Sequence, residues 1–233
     1  MKSFCMQNPK LSHLAGTLIG SEIVKLGNMI SERIRNGEKI YNFTIGDFDP
    51  SIFPIPPELE ALIIGSYQQK NTNYPAAEGV LGLRKSVSHF IKEWEGLEYA
   101  PNEIQIASGG RPLIYAIFKA IVDKGDKVIY GVPSWNNNHY VHMTGGEHCV
   151  IECGAENDFM PTPADIKQNI KGATLICLCT PQNPTGTTLT QSALAEICDL
   201  ILEENKQRAE GEKKLYLMFD QMYWTLTYGS TEH

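Results

Sequence analysis

Ala173 to Cys179 (ATLICLC) runs on through Thr180-Pro181-Gln182 into Asn183-Pro184-Thr185-Gly186, and the reading of this stretch decides the fold. The apolar run reads as a buried strand. A helical stripe follows over Gln191 to Gln207, where Leu194, Ile197, Cys198, Ile201 and Leu202 share one face. A second apolar run, Lys214 to Phe219 (KLYLMF), then ends at Asp220-Gln221-Met222-Tyr223. Strand, helix, strand is the unit of a parallel sheet, and such a sheet gathers its ligand groups at the carboxyl ends of its strands. An amide, a carboxylate and a phenol are therefore expected to converge.

Upstream the alternation continues. Strands are predicted over Ile104 to Ala107, Lys127 to Val132 and His148 to Cys153, with helices over Pro112 to Val122, stopped by Gly125, and Pro163 to Ile170. The expected class is α/β with a mostly parallel, doubly wound sheet. The amino-terminal part reads differently. Ile23, Leu26, Ile30 and Ile34 form one stripe of a helix over Ser21 to Ile34, ended by Asn36-Gly37. A short strand, Ile40 to Ile45, runs into Gly46. Asp49 to Pro57 is too proline-rich for helix or central strand and is expected to be an extended crossing segment and a domain boundary. Two helices follow, Glu58 to Lys70 and Val80 to Trp94, the second with Leu83, Val87, Phe90, Ile91 and Trp94 at core spacing.

With 42% hydrophobic residues over 233 positions, the chain is long enough to bury a core. A net charge of −7, with no basic run, disfavours a nucleic-acid partner, and small-molecule chemistry is the better expectation. The start, Met1 to Pro9, has no apolar stretch long enough for a signal peptide, and no later segment reaches membrane-spanning length, so a cytoplasmic location is expected. Cys5, Cys149, Cys153, Cys177, Cys179 and Cys198 lack the spacing of a disulfide framework or zinc site. Cys177 and Cys179 alternate along one strand and are expected on the same side of it as small buried hydrophobes. His139, His142 and His148 form no rigid paired-ligand motif with Cys149 and Cys153, so no metal is expected.

Each strand end carries a chemical group. After Ala107, Ser108-Gly109-Gly110-Arg111-Pro112 leads at once into a helix, whose free N–H groups and dipole favour a phosphate. The next strand ends in Pro133-Ser134-Trp135, where an indole can stack on a flat ring. Asn136-Asn137-Asn138 after it is expected to be a solvated or hydrogen-bonded loop, with His139 placed to orient Asp220. Asn183 sits in a turn closed by Gly186. Asp220, directly after an apolar strand, is costly to desolvate without a cationic partner, and a protonated pyridine supplies one. A ligand that uses all these groups is pyridoxal phosphate: the carboxylate pairs with its ring nitrogen, and Asn183 and Tyr223 hydrogen-bond its ring oxygen.

At these residues the chain resembles the class I/II aminotransferases of pyridoxal-phosphate fold type I, the aspartate aminotransferase family, from about Gly46 to Tyr223. The resemblance implies a large domain over residues 58–233, incomplete at its carboxyl end, after an amino-terminal arm and small-domain segment over residues 1–57. It implies that Asp220 holds the pyridinium, that Asn183 and Tyr223 bind the ring oxygen, and that Trp135 stacks on the ring. Ser108, Gly109 and Gly110 resemble the phosphate cup. Tyr74, in Asn73-Tyr74-Pro75-Ala76-Ala77-Glu78-Gly79 followed by Leu83-Arg84, matches a tyrosine that reaches the phosphate of a neighbouring subunit, which implies a homodimer. Gly46 matches the glycine beside the substrate carboxylate, with Asn183 and Trp135 on the same side of the site. Arg111 stands where the family more often has a small or neutral polar residue; an extra phosphate or substrate contact and a solvated side chain are both open. The family's lysine that holds the cofactor covalently follows the Asp-x-x-Tyr segment on a later strand, and His233 is reached before any such strand. The expected activity is transfer of an amino group between an amino acid and a 2-oxo acid, with the chain as given inactive alone. A lyase or decarboxylase using the same cofactor, or a non-catalytic cofactor-binding module, fits the same residues.

Overall fold

The computed structural model describes residues 11–44, 46 and 48–229. Ile45, the expected last residue of the short early strand, lies outside them, as does Cys5. The described residues fall into two compact units, one of residues 11–19 with 109–229 and one of residues 20–108.

The first unit is built on a sheet of four parallel strands, β1 (Lys127–Val132), β2 (Glu147–Glu152), β3 (Ala173–Cys179) and β4 (Tyr216–Asp220), in the order β2-β1-β3-β4. The chain therefore winds one way from β1 to β2, then crosses back past β1 to make β3 on its other side, as the doubly wound expectation requires. Strand alternation sorts the side chains by face. Val128 and Tyr130 of β1, Leu175 and Cys177 of β3 and Met218 of β4 pack with Phe118 and Val122 from α5 (Gly110–Ile121) and its end, and with Tyr140 and Val141 from α6 (Asn137–Thr144). On the opposite face Ile129, Ile176 and Leu178 pack with Ile166 of α7 (Pro163–Asn169) and with Ile197 and Ile201 of α8 (Gln191–Gln207). Ala173 joins this second cluster because the β1/β3 register shifts between Lys127 and Val128, which breaks the parity of β3 at its first residues. A short α1 (His13–Thr17), capped by the Ser12 hydroxyl, belongs to the same unit and meets α6 through Thr17 Oγ1 and His142 Nε2 at 3.1 Å.

Helix ends follow local chemistry. Thr190 caps α8, and Thr162 and Asp165 form a reciprocal capping box on α7. Below the sheet, the buried Glu204 pairs with Arg208 at 3.2 Å and with Lys171 at 2.8 Å, and Arg208 also donates to the Ala173 carbonyl at 2.6 Å. Glu204 thereby locks the end of α8 to the start of β3.

The second unit contains α2 (Glu22–Arg35), α3 (Pro57–Gln68) and α4 (Leu81–Glu95). Its polar anchor is Arg84. This side chain is nearly buried and donates to the Gly79 carbonyl at 3.1 Å, the Pro101 carbonyl at 2.7 Å and the Glu78 carboxylate at 3.2 Å. Gly79 has φ +101°, and a Cβ there would sit 2.6 Å from Ile106, so glycine is required both by conformation and by room.

Several expectations are corrected here. Residues 104–107 join no ladder among the described residues: the Ile106 N–H donates instead to the Glu78 carbonyl at 3.0 Å, inside the second unit. Residues 40–44 form no strand. The expected extended run at Asp49 is a turn, in which the Asp49 carboxylate accepts from the Ser51 N–H and hydroxyl. α5 starts at Gly110 rather than Pro112, and proline is tolerated at its third position because first-turn N–H groups lack intrahelical partners. The asparagine loop is shorter than expected, since Asn136 (φ 58°) leads directly into α6. The core stripe of α4 is mostly open, with Leu83, Phe90 and Trp94 exposed and Val87 and Ile91 half-buried. Within the second unit, Arg84 and the Glu78–Ile106 hydrogen bond tie the segment before α4 to the segment after it.

Candidate functional site

The strand order places a switch point between β1 and β3, and the loops that follow those strands and β4 lie at the carboxyl edge of the sheet. β3 and β4 run in register with Cys179 opposite Asp220, and the Thr180 N–H donates to the Asp220 carbonyl at 3.1 Å. After β3 the chain makes a tight loop. The Gln182 N–H donates to the Thr187 carbonyl and the Gly186 N–H to the Gln182 carbonyl, both at 2.8 Å, which presents Asn183 at the tip. After β4 a turn carries Tyr223 back toward that loop, and Asn183 Nδ2 donates to the Tyr223 hydroxyl at 3.0 Å. The amide and phenol expected to converge are in direct contact, forty positions apart in the chain.

Asp220 is half-buried beside them, one Oδ1 accepting from the Met222 N–H at 3.1 Å. Among the described residues its carboxylate forms no ion pair. Its negative charge is felt by the neighbouring groups. Burial, then the Asp220 charge, pushes the Cys177 thiol far up and the Cys179 thiol up to about 11, so both stay protonated and inert at neutral pH. Cys177 is buried and Cys179 partly so, on the same parity of β3. The Tyr140 phenol is also held up, by burial first, with Arg111 opposing and Asp220 reinforcing. It is a neutral hydroxyl close to both charges.

The phosphate-cup candidates divide between the units. Gly109 caps α5 with φ +100°, a conformation glycine adopts without strain, and no side chain caps the helix. Gly110 and Arg111 are its first residues. The N–H groups of that first turn and the helix dipole suit an anion. Arg111 is exposed, and its guanidinium lies 5.5 Å from the centre of the half-buried Trp135 ring. Ser108, Tyr74 and Gly46 belong to the second unit; all three are exposed, Tyr74 at 99%. His139 forms no hydrogen bond with Asp220 among the described residues, and Tyr140, one position on, is the side chain whose titration Asp220 perturbs.

Sequence reasoning missed Tyr140 and Gln182. Tyr140 lies in a helix that no periodicity announces. Gln182 is 5% exposed and reaches from the β3 loop to the β1 loop, where Nε2 donates to the Pro133 carbonyl at 2.9 Å. It also lines a crevice of about 10 Å³ with Ser134, Asn137 and Cys179.

The family described as aminotransferase class I and II matches residues 38–233. An aspartate aminotransferase of Bacillus sp. (strain YM-2) is 28% identical over 225 residues, 96% of this chain and 54% of that protein. An aspartate/prephenate aminotransferase of Cereibacter sphaeroides is 25% identical over 210 residues, 89% of this chain and 50% of its own. Among solved structures, aspartate aminotransferase from Thermus thermophilus with maleate superposes with a TM-score of 0.85 at 26% identity, covering 95% of this chain and 55% of that one. Alanine aminotransferase from Pyrococcus furiosus, at 23% identity and a TM-score of 0.82, shares the fold. The chain thus spans about half the length of the relatives it matches. A four-stranded parallel sheet wound in this order, with the family match running from residue 38 onward, shows that the chain belongs to the class I and II aminotransferases.

Proposed function

We propose that the protein is a pyridoxal-phosphate-dependent aminotransferase, moving an amino group between an amino acid and a 2-oxo acid. The observation that carries this reading is the Asn183–Tyr223 contact beside a half-buried carboxylate that has no ion-pair partner among the described residues. The residues present fit the cofactor by their chemistry. Asp220 offers a pyridinium its counter-ion, Asn183 and Tyr223 offer donors to the ring oxygen, and Trp135 offers a flat face. Gly109, Gly110 and Arg111 offer an uncapped helix start and a cation to the phosphate, with Ser108 beside them in sequence and Tyr74 coming from a second subunit. Gly46, with Trp135 and Asn183, is assigned to the substrate side.

When bound, pyridoxal phosphate supplies the electron sink for loss of the Cα proton. Asp220 keeps a proton on the pyridine nitrogen, since a carboxylate close by raises the pKa of a cationic acid. Asn183 donates to the Tyr223 oxygen, which leaves the phenolic O–H free to donate onward. Tyr140, held protonated, stays neutral and adds no second negative charge beside Asp220.

A homodimer in the cytoplasm is part of the same reading. The support for the dimer is the full exposure of Tyr74 and the partial exposure of apolar side chains along α3, including Leu59, Leu62, Ile63 and Tyr67. No helix among the described residues is long and apolar enough to cross a membrane.

The test uses the full-length protein with pyridoxal phosphate, 2-oxoglutarate and aspartate, the donor suggested by the relatives' names. Glutamate and the donor's 2-oxo acid should form in equal amounts, whereas carbon dioxide release or elimination products point to decarboxylase or lyase chemistry. Asp220→Ala should lower turnover by about a hundredfold or more. Unchanged turnover in that variant would sink the role given to Asp220.

A further inference from the structure

At the switch point, one side chain spans the two loops that carry the candidate ring-binding groups. Gln182 is anchored through its own backbone to Thr187 and Gly186, and its Nε2 donates across to the Pro133 carbonyl at 2.9 Å. Pro133 lies two residues before Trp135, and Gln182 one residue before Asn183. A single hydrogen bond therefore couples the place of the indole to the place of the amide. The other end of the same side chain, Oε1, is buried and has no hydrogen-bond partner among the described residues. A buried, half-satisfied amide is worse for stability than an apolar side chain of the same size. A leucine would fill this space and stabilise the fold more, so packing does not account for a glutamine here. The crevice it lines, between Ser134, Asn137 and Cys179, is large enough for about one water molecule, which could serve Oε1.

We propose that Gln182 is a positioning residue: it sets the spacing between the Trp135 ring and the Asn183–Tyr223 pair by tying the β3 loop to the Pro133 carbonyl. Its consequence for cofactor binding rests on the reading of these groups as a pyridoxal-phosphate site; the strut itself does not. The prediction is specific to the donor end. Gln182→Leu keeps the volume and removes the tie. Gln182→Glu keeps the length but, when ionised, offers only acceptors to a carbonyl that needs a donor; protonated, its O–H can donate again.

The experiment is made in full-length protein in which every tryptophan other than Trp135, Trp94 and Trp224 included, is replaced by Phe, so that emission reports Trp135. Gln182→Leu should keep the melting temperature or raise it, shift Trp135 emission in the cofactor-free protein, and weaken pyridoxal-phosphate binding by about tenfold, as expected for loss of one organising hydrogen bond. Gln182→Glu should show the same emission shift at neutral pH and lose it on acidification as the carboxyl protonates. Should Gln182→Leu not fold, the pH dependence of Gln182→Glu decides alone. Emission unchanged in the folded variants at every pH overturns the proposal. A shift in emission with no pyridoxal-phosphate binding by the parent protein upholds the strut and defeats the cofactor reading instead.

Discussion

The two units of this molecule use apolar residues in opposite ways. In the sheet unit, strand alternation sends Val128, Leu175 and Cys177 to one helical layer and Ile129, Ile176 and Leu178 to the other, and all six are buried. In the 20–108 unit, by contrast, α2 and α4 have clear apolar spacing and α3 is rich in apolar residues, yet the buried residues that these helices contribute are Gly27 and Arg84. Leu62 on α3 remains 71% exposed and Trp94 on α4 66% exposed. A parallel sheet closes its own core because each crossover helix covers the strands it joins. Among the described residues the helices of the other unit have no such cover: Arg84 ties α4 only to the segments on either side of it, and the apolar side chains are left as surface. Amphipathic spacing thus says that a helix has something to bury, and it does not say whether its own unit supplies the cover.

The sharpest way to break this contrast is a core truncation. Ile176→Ala, at a fully buried site between β3 and α8, should cost about 3–4 kcal/mol, read from urea unfolding followed by circular dichroism. A loss below 1 kcal/mol would mean that the sheet core is looser than its burial implies. Next in size is Arg84→Met, which strands the Gly79 and Pro101 carbonyls without their donor and should cost about 2 kcal/mol. The change should speed hydrogen exchange at the Ile106 amide while leaving Ile176 protected; equal effects at both would show that the units unfold together.

The Glu204 tie gives a smaller, pH-dependent effect. The Lys171 ammonium first, and Arg208 also, hold Glu204 below its ordinary 4.5 against the opposing effect of burial. A depressed folded-state pKa stabilises above the ordinary value and ceases to do so as pH falls through the folded one. Glu204→Gln should therefore lose about 1 kcal/mol at pH 7 and almost nothing near pH 3, so its acid-unfolding curve should be flatter than the parent's. Identical pH slopes would remove Glu204 from the ledger of acid-sensitive contacts. The smallest folding effect belongs to Leu62→Ala, within about 0.5 kcal/mol because the site is already exposed. Sedimentation should nonetheless show a shift toward monomer if a second copy covers α3, and an unmoved sedimentation coefficient would leave α3 as ordinary surface.

Legibility in the sequence tracks how local each cause is. β1, β3 and α8 have the predicted bounds because their apolar runs and the Thr190 cap are written within the element itself. Residues 104–107 look as apolar as a strand, but a strand exists only through its neighbours, and here the Ile106 N–H goes to Glu78. α6 was unreadable for the converse reason. Two asparagines and two histidines are indifferent helix formers, and the helix is held by Tyr140 and Val141 packing in one cluster with Phe118, a contact between separate elements. The site divides the same way: Asn183, Asp220 and Tyr223 were visible because each follows an apolar strand, whereas Gln182 has no pattern to mark it.

By itself the sequence determined the alternation of strands and helices, the parallel sense of the sheet and the set of polar groups delivered to its carboxyl edge. These depend on periodicity and on which residue ends a strand, both of which are properties of short segments. Only the tertiary structure decided that β1 and β3 adjoin at the switch point, that the Asn183 amide meets the Tyr223 phenol, that Gln182 spans the two loops and that the apolar side chains of α3 and the stripe of α4 stay open. Each of those is a distance between segments remote in the chain, set by packing that no local pattern encodes.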